Sequence, residues 1–315
     1  MATGSTRVVL AALAGNGGIA LAKFAAAALS GSTAMFTEAI HSLVDTGDQL
    51  LLLVGQARGR RPPDETHPLG YGMETYFWSF VVALMVFFLG GALSVYEGVR
   101  HILAPAPLAS PWIGLGVLAV SAVFEGASFR VGYREYRKVV RGQPVRLWAF
   151  IKGSKDPGLV SVLLEDSAAL IGIALAAAGV VASGFFGLAW ADGAASVAIG
   201  LLLTGVAFVL ANETRSLIAG EAVAPMVMAR LKATLDQISC ITDLEEIATL
   251  HLGPGAILVA LTLAFRPKST SDAINAAIGE ITQCLQATDG RVAYVYVRPS
   301  RRRAAKGAKR PAASG

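Results

Sequence analysis

Six stretches of this sequence are long and apolar enough to cross a lipid bilayer, and no other feature constrains the fold as much. They run near residues 7–29, 34–55, 77–99, 111–132, 158–182 and 190–211. The hydrocarbon core of a bilayer is crossed by about 20 mostly apolar residues in helical form. Backbone inside it must satisfy its own hydrogen bonds, so such runs fold as helices. Composition agrees: 54% of the residues are hydrophobic and 16% charged, against about 45–50% and about 25% in soluble domains. The expected fold class is therefore a multi-pass α-helical membrane protein with six transmembrane helices. The first run is too long for a cleavable signal and leads straight into the second.

After Asn212 the character changes. Val227, Leu231, Leu235 and Ile238 recur at helical spacing, and 244–251 and 256–265 read as strands. The second strand alternates through Ile257, Val259, Leu261, Leu263 and Phe265. Ile274, Ile278, Ile281 and Leu285 mark another helix, and "RVAYVYVRP" closes as a strand. The order αββαβ predicts a small α+β, ferredoxin-like domain. The expected division is a membrane domain over 1–212, this domain over 213–299 and a basic, disordered tail over 300–315. Cys240 and Cys284, both in the soluble part, suggest neither a disulfide framework nor a Cys-rich metal site. They read as small core fillers in a reducing compartment.

The net charge of +5 is unevenly placed. Arg58, Arg60 and Arg61 lie in one connection, a second basic cluster occupies 133–157, and the tail adds more. The alternate connections "SGST", "APAPLASP" and "SGFFGLAW" carry no Lys or Arg. By the positive-inside rule the basic segments are cytoplasmic, so both termini face the cytoplasm, as expected for a bacterial inner membrane. Orientation explains the basic patches without nucleic acid.

The polar residues inside the apolar runs carry the chemistry. In "EAIHSLVDTGDQ", residues 38–49, the side chains of Glu38, His41, Asp45 and Asp48 fall on one helical stripe. Intramembrane ionisable residues mark ion or proton pathways. The fifth run adds adjacent acids, Glu165 and Asp166, which point about 100° apart on a helix, so one of them faces the second run squarely. Lys23 is expected to snorkel or to pair with a carboxylate, and Glu97 to sit at the interface. Glu125 reads equally as half of a buried pair or as part of a pathway. A His and an Asp at i, i+4, joined by an acid from another helix, make a nitrogen and oxygen ligand set. Zinc takes such ligands, whereas calcium and magnesium prefer oxygen alone. Affinity order does not separate zinc from cobalt, nickel or copper. No nucleophile–base pair, phosphate loop or redox motif points to an enzyme or an organic cofactor.

On "GSTAMFTEAIHSLVDTGDQ" at 31–49, "DETHPLGYGMETYFWSFVVAL" at 64–84, "SVYEGVRHI" at 94–102 and "VLLEDSAALIG" at 162–172, the chain resembles the cation diffusion facilitator family over residues 7–299. The wording around "ETHPLGYG" and "LLEDSAA" is similar to the branch that includes a vertebrate mitochondrial zinc exporter. The resemblance implies a homodimer that exports divalent metal, commonly zinc, from the cytoplasm against protons, with the metal as transported substrate. It implies ligands on the second and fifth spans. His41 and Asp45 match on the second and Asp166 on the fifth, but the position four before Asp166 is Val162, which cannot ligate. Glu165 is the expected fourth ligand, with Glu38 or water as alternatives. A loop metal site is implied around Asp64 and His67, but the usual second His is Tyr71 here. The last strand offers Tyr294, Tyr296 and Arg298, with only His251 nearby, so the C-terminal domain is expected to dimerise with little metal sensing. Two alternatives stand beside zinc export. One is a non-transporting metal sensor or scaffold that kept the fold. The other is a transporter of cobalt, iron, manganese or cadmium.

Overall fold

The structure is a computed structural model that describes residues 2–106, 108–140, 145–239, 241–266 and 269–300, with side chains from residue 16 onward. The expected tail and Cys240 lie outside the described residues. The chain divides into two compact units, 1–219 and 220–315.

The first unit is a bundle of long helices: α1 (Ala2–Ser30), α2 (Thr33–Gly59), α3 (Glu74–Leu103), α4 (Pro111–Val139), α6 (Pro157–Phe186) and α7 (Trp190–Ile218), with a short α5 (Leu147–Gly153) before α6. Among the described residues, α3, α4, α6 and α7 are long and apolar enough to cross a membrane. The polar stripe on α2 dilutes its apolar content, and half of α1 is described by backbone alone. Large apolar side chains such as Phe88, Val123, Leu201 and Phe208 are exposed, while Lys23, Glu38, His41 and Asp48 are buried. That inversion of the soluble pattern suits a bundle surrounded by lipid.

Helix starts follow local chemistry. Ser32 caps α2, its hydroxyl accepting from the Met35 amide at 3.0 Å. Asp156 caps α6 just before Pro157, which has no N–H to satisfy. α2 is central, packing on α1, α3, α6 and α7, while α4 packs on α1 and α6. α3 lies tightly along α7. A methyl group on Gly98 would stand 2.7 Å from the Gly193 carbonyl, and one on Gly200 2.8 Å from that of Gly91. Small residues at these crossings let two backbones approach closely. The middle of α3, Val86–Ala92, widens into a π-helical segment where it faces α7.

The second unit runs α8 (Pro225–Asp236), β1 (Ile241–Gly253), β2 (Ala256–Phe265), α9 (Ser271–Thr288) and β3 (Val292–Ser300). Its sheet has the order β1-β2-β3, with β1 antiparallel to β2 and β2 parallel to β3. Leu231, Leu235, Ile257, Val259, Leu261, Leu263, Ile281 and Leu285 fill one core between the helices and the sheet. Cys284 is a free thiol packed beside it.

Candidate metal centre

The middle of α2 carries His41, Asp45 and Asp48; Asp45 and Asp48 meet Glu165 of α6, while His41 stands outside that cluster, beside Asp45. His41 Nδ1 lies 3.3 Å from Asp45 Oδ1, the contact that i, i+4 spacing allows. The pair makes no hydrogen bond. Both ring nitrogens of His41, Oδ1 of Asp45 and both carboxylate oxygens of Asp48 are buried without a hydrogen-bond partner among the described residues. More than nine in ten buried polar groups find partners, so five orphaned atoms along two turns of one helix are a departure that calls for something outside the chain.

α6 divides its two acids as the 100° offset requires. Glu165 turns toward α2, and Asp45, Asp48 and Glu165 each bring one oxygen within 4.8 Å of the others. Ser161, one turn earlier, donates to Glu165 Oε1 at 2.8 Å and fixes that carboxylate. Asp166 turns toward α4 and accepts from Ser128 at 2.9 Å. The structure thus brings Glu165 into the α2 cluster and leaves Asp166 on the neighbouring wall. Two unit charges 4.8 Å apart repel by about 3.5 kcal/mol at an effective dielectric of ~20. Such a cluster requires positive charge, whether a cation or protons.

A cavity of about 60 Å³ adjoins the cluster, lined by Asp45, Glu165, Asp166, Glu125, Asn16 and Gln49 among others. It holds more than the one water that about 10–15 Å³ admits. A larger hollow of about 470 Å³ shares Gln49, Ser128 and Val162 with it and reaches Glu135 and Asp156. Val162, which cannot ligate, lines both.

The remaining candidates separate. Lys23 Nζ bonds Glu38 Oε2 at 3.1 Å and Ser42 Oγ at 2.7 Å, all of it buried. That pairing commits Glu38 Oε2 to α1, while Oε1 is buried without a hydrogen-bond partner among the described residues. Glu97 sits 3.7 Å from Arg100, partly exposed, as an interfacial acid does. Between α2 and α3, Asp64 accepts from the Tyr71 hydroxyl at 2.6 Å, from Thr66, and from the His67 amide at 2.8 Å. Tyr71 foremost, then Thr66 and His67, hold the Asp64 carboxyl well below the usual carboxylate range. His67 lies against the Tyr71 ring with centroids 4.0 Å apart. Asp64 and His67 do meet, but the carboxylate is already saturated by the loop's own donors.

Sequence reasoning put Asp48 on the stripe without naming it a ligand; its i+3 step from Asp45 was the available signal. Ser128 and Ser161 carried no such signal, since their role depends on how α4 and α6 pack.

The family pattern called the cation efflux transmembrane domain matches residues 9–219, which takes in every helix of this centre. The chain is a cation diffusion facilitator. It is 33% identical over 255 residues to the proton-coupled zinc antiporter SLC30A9, mitochondrial, of Homo sapiens, covering 81% of this chain and 45% of that protein. It is 31% identical over 252 residues to metal tolerance protein C4 of Arabidopsis thaliana, covering 80% and 55%. The manganese efflux system protein MneP of Bacillus subtilis is 23% identical over 251 residues, covering 79% and 80%. This facilitator spans about half the length of the first two relatives. It is an integral membrane protein of a transporter family.

Proposed function

We propose that this facilitator carries a divalent metal cation, zinc before others, across the membrane in exchange for protons, with His41, Asp45, Glu165 and Asp166 as ligands. The supporting observation is the set of orphaned buried acceptors on α2 beside a cavity walled by the two acids of α6. The names of its relatives, a zinc antiporter, a metal tolerance protein and a manganese efflux protein, support the reading. All six long helices span the bilayer in this proposal. The basic connections put both termini and the second unit in the cytoplasm, most simply at a bacterial inner membrane. That unit, a ferredoxin-like dimerisation domain over 213–299, pairs two copies of the chain in this proposal.

The chemistry follows from competition for the same atoms. Imidazole and carboxylates bind metal only when deprotonated, so metal entering displaces protons and protons returning displace metal. The wider hollow past Val162 is the access route in the state described. Rocking of the helices around the fixed centre opens the other side. His41 favours zinc over calcium or magnesium, which take oxygen shells. Zinc is cargo in this scheme, and no organic cofactor takes part. Zinc uptake by sealed vesicles carrying the purified protein tests the proposal. Accumulation that vanishes in Asp45→Ala supports it. Zinc binding without accumulation would identify a sensor or scaffold instead.

A further inference from the structure

Asp48 stands outside the ligand set just given, yet it is the most isolated carboxylate of the bundle's interior. Its side chain is fully buried, and neither oxygen has a hydrogen-bond partner among the described residues. A carboxylate left so is expensive in a low-dielectric interior unless it meets a cation or carries a proton. One of its oxygens converges with one from Asp45 and one from Glu165 inside 4.8 Å. Two oxygens on opposite sides of a single divalent ion stand roughly 4.0–5.2 Å apart, twice the usual metal–oxygen distance. Three oxygens within 4.8 Å of one another stand close to the spacing one such ion imposes, so small side-chain shifts bring all three acids onto it.

We infer that Asp48, Asp45 and Glu165 form a second cation station about one helical turn from His41, an all-oxygen site for a hard divalent ion, sharing Asp45 with the nitrogen-bearing set. The inference rests on the transport reading and deepens it. Three features support the station. Asp45 and Asp48 are adjacent on one face of α2, so their spacing is rigid. Ser161 holds one oxygen of Glu165, which orients the group from the opposite helix. Asp45 and Glu165 line the cavity and Asp48 does not, so Asp48 closes the station on the side away from the cavity. With no nitrogen among its donors, the station favours manganese-like ions, while His41 favours zinc. Because Asp45 belongs to both sets, an ion held firmly at one withdraws a ligand from the other, and an ion passing through is handed along the stripe.

The test is equilibrium dialysis of the purified full-length protein in detergent against manganese and, separately, zinc. Wild type is compared with Asp48→Asn, Asp48→Glu, His41→Ala and Asp45→Asn. Manganese affinity is expected to fall by about tenfold or more in Asp48→Asn, since one of three charged ligands is lost. Asp48→Glu recovers most of it, and His41→Ala leaves it nearly unchanged while weakening zinc. Manganese binding by Asp48→Asn at the wild-type level, or none by the wild type, overturns the station. Equal loss of both metals in both Asp48 variants also overturns it, as the mark of a packing role. Asp45→Asn keeps the two claims apart. If it abolishes zinc binding while Asp48→Asn binds manganese normally, only the second station falls. If Asp45→Asn binds both metals as wild type does, the station and the parent reading fall together.

Discussion

The start and the middle of α2 both carry buried polar side chains, and they differ in how those side chains are partnered. At the start most polar groups are answered, Glu38 Oε1 being an exception among the described residues. Asp192, fully buried on α7, takes the Ser32 hydroxyl and the amides of Thr33 and Ala34, the last at 3.2 Å. A carboxylate at a helix N-terminus meets both the free amides and the positive end of the dipole. One turn on, Thr37 bonds Ser196, whose hydroxyl reaches the Ser94 carbonyl at 3.0 Å. Then Lys23 closes on Glu38 and Ser42. Further along, Thr46 bonds the Ser42 carbonyl and Gln49 accepts from Asn16, but His41, Asp45 and Asp48 present atoms without a partner among the described residues. Satisfied polar groups hold the helix in place. Unsatisfied ones, held by that framework, are available to an ion. Local instability at such a centre is tolerated because its surroundings over-determine it.

Substitutions on the two halves should therefore fail differently. The largest effect is expected for Asp45→Ala, with zinc transport in vesicles down about a hundredfold or more, to the leak rate. Its thermal unfolding in zinc-free buffer should be unchanged or raised, because an uncompensated buried charge is removed. A large drop in stability would break the comparison. Lys23→Met strands Glu38 and is expected to lose about 3–5 kcal/mol of stability. Adding Glu38→Gln should return most of that, and a double variant no better than the single would show that the pair is not the cause. Asp192→Ala leaves three donors unanswered and is expected to lose about 2–3 kcal/mol, with zinc affinity changed little. The smallest effect belongs to the loop. Tyr71→Phe removes the leading bond to Asp64 and should raise its carboxyl toward the ordinary value of about 3.9, as read by a carbon NMR titration. A depressed carboxyl lends stability above its unfolded value that is lost as pH falls through the folded one. The variant should therefore lose the loop's order at a higher pH than wild type, and an unshifted titration would remove Tyr71 as the cause.

Much of the scaffold was legible because periodicity and hydropathy are local. All six apolar runs are helical, and most apolar repeats of the second unit form its core, Ile274 and Ile278 excepted. The ends were less legible. α4 was expected to end near 132 and continues to Val139, because hydropathy reads where the bilayer stops, not where a helix does. The short α5 went unseen because Phe150 is held by tertiary contacts with Tyr136 and Leu163. The π segment in α3 depends on α7 in the same way. At the centre, the contact of His41 with Asp45 was legible from i, i+4 spacing. The division of labour between Glu165 and Asp166 was not, since it depends on which neighbouring helix each one faces. Asp192 gave no signal at all, because its partners lie about 160 residues away in sequence.

The contrast between the two halves is tested most directly by thermal unfolding of the purified protein with and without zinc. A ligand at 100 times its Kd adds about 2.7 kcal/mol to the state that binds it. Zinc is expected to raise the unfolding temperature of wild type and of Asp192→Asn by similar increments, although Asp192→Asn starts lower. It is expected to leave Asp45→Asn unmoved. A zinc-induced rise in Asp45→Asn equal to that of wild type would place the metal elsewhere in the molecule and contradict the assignment of the unpartnered half of α2 as its site.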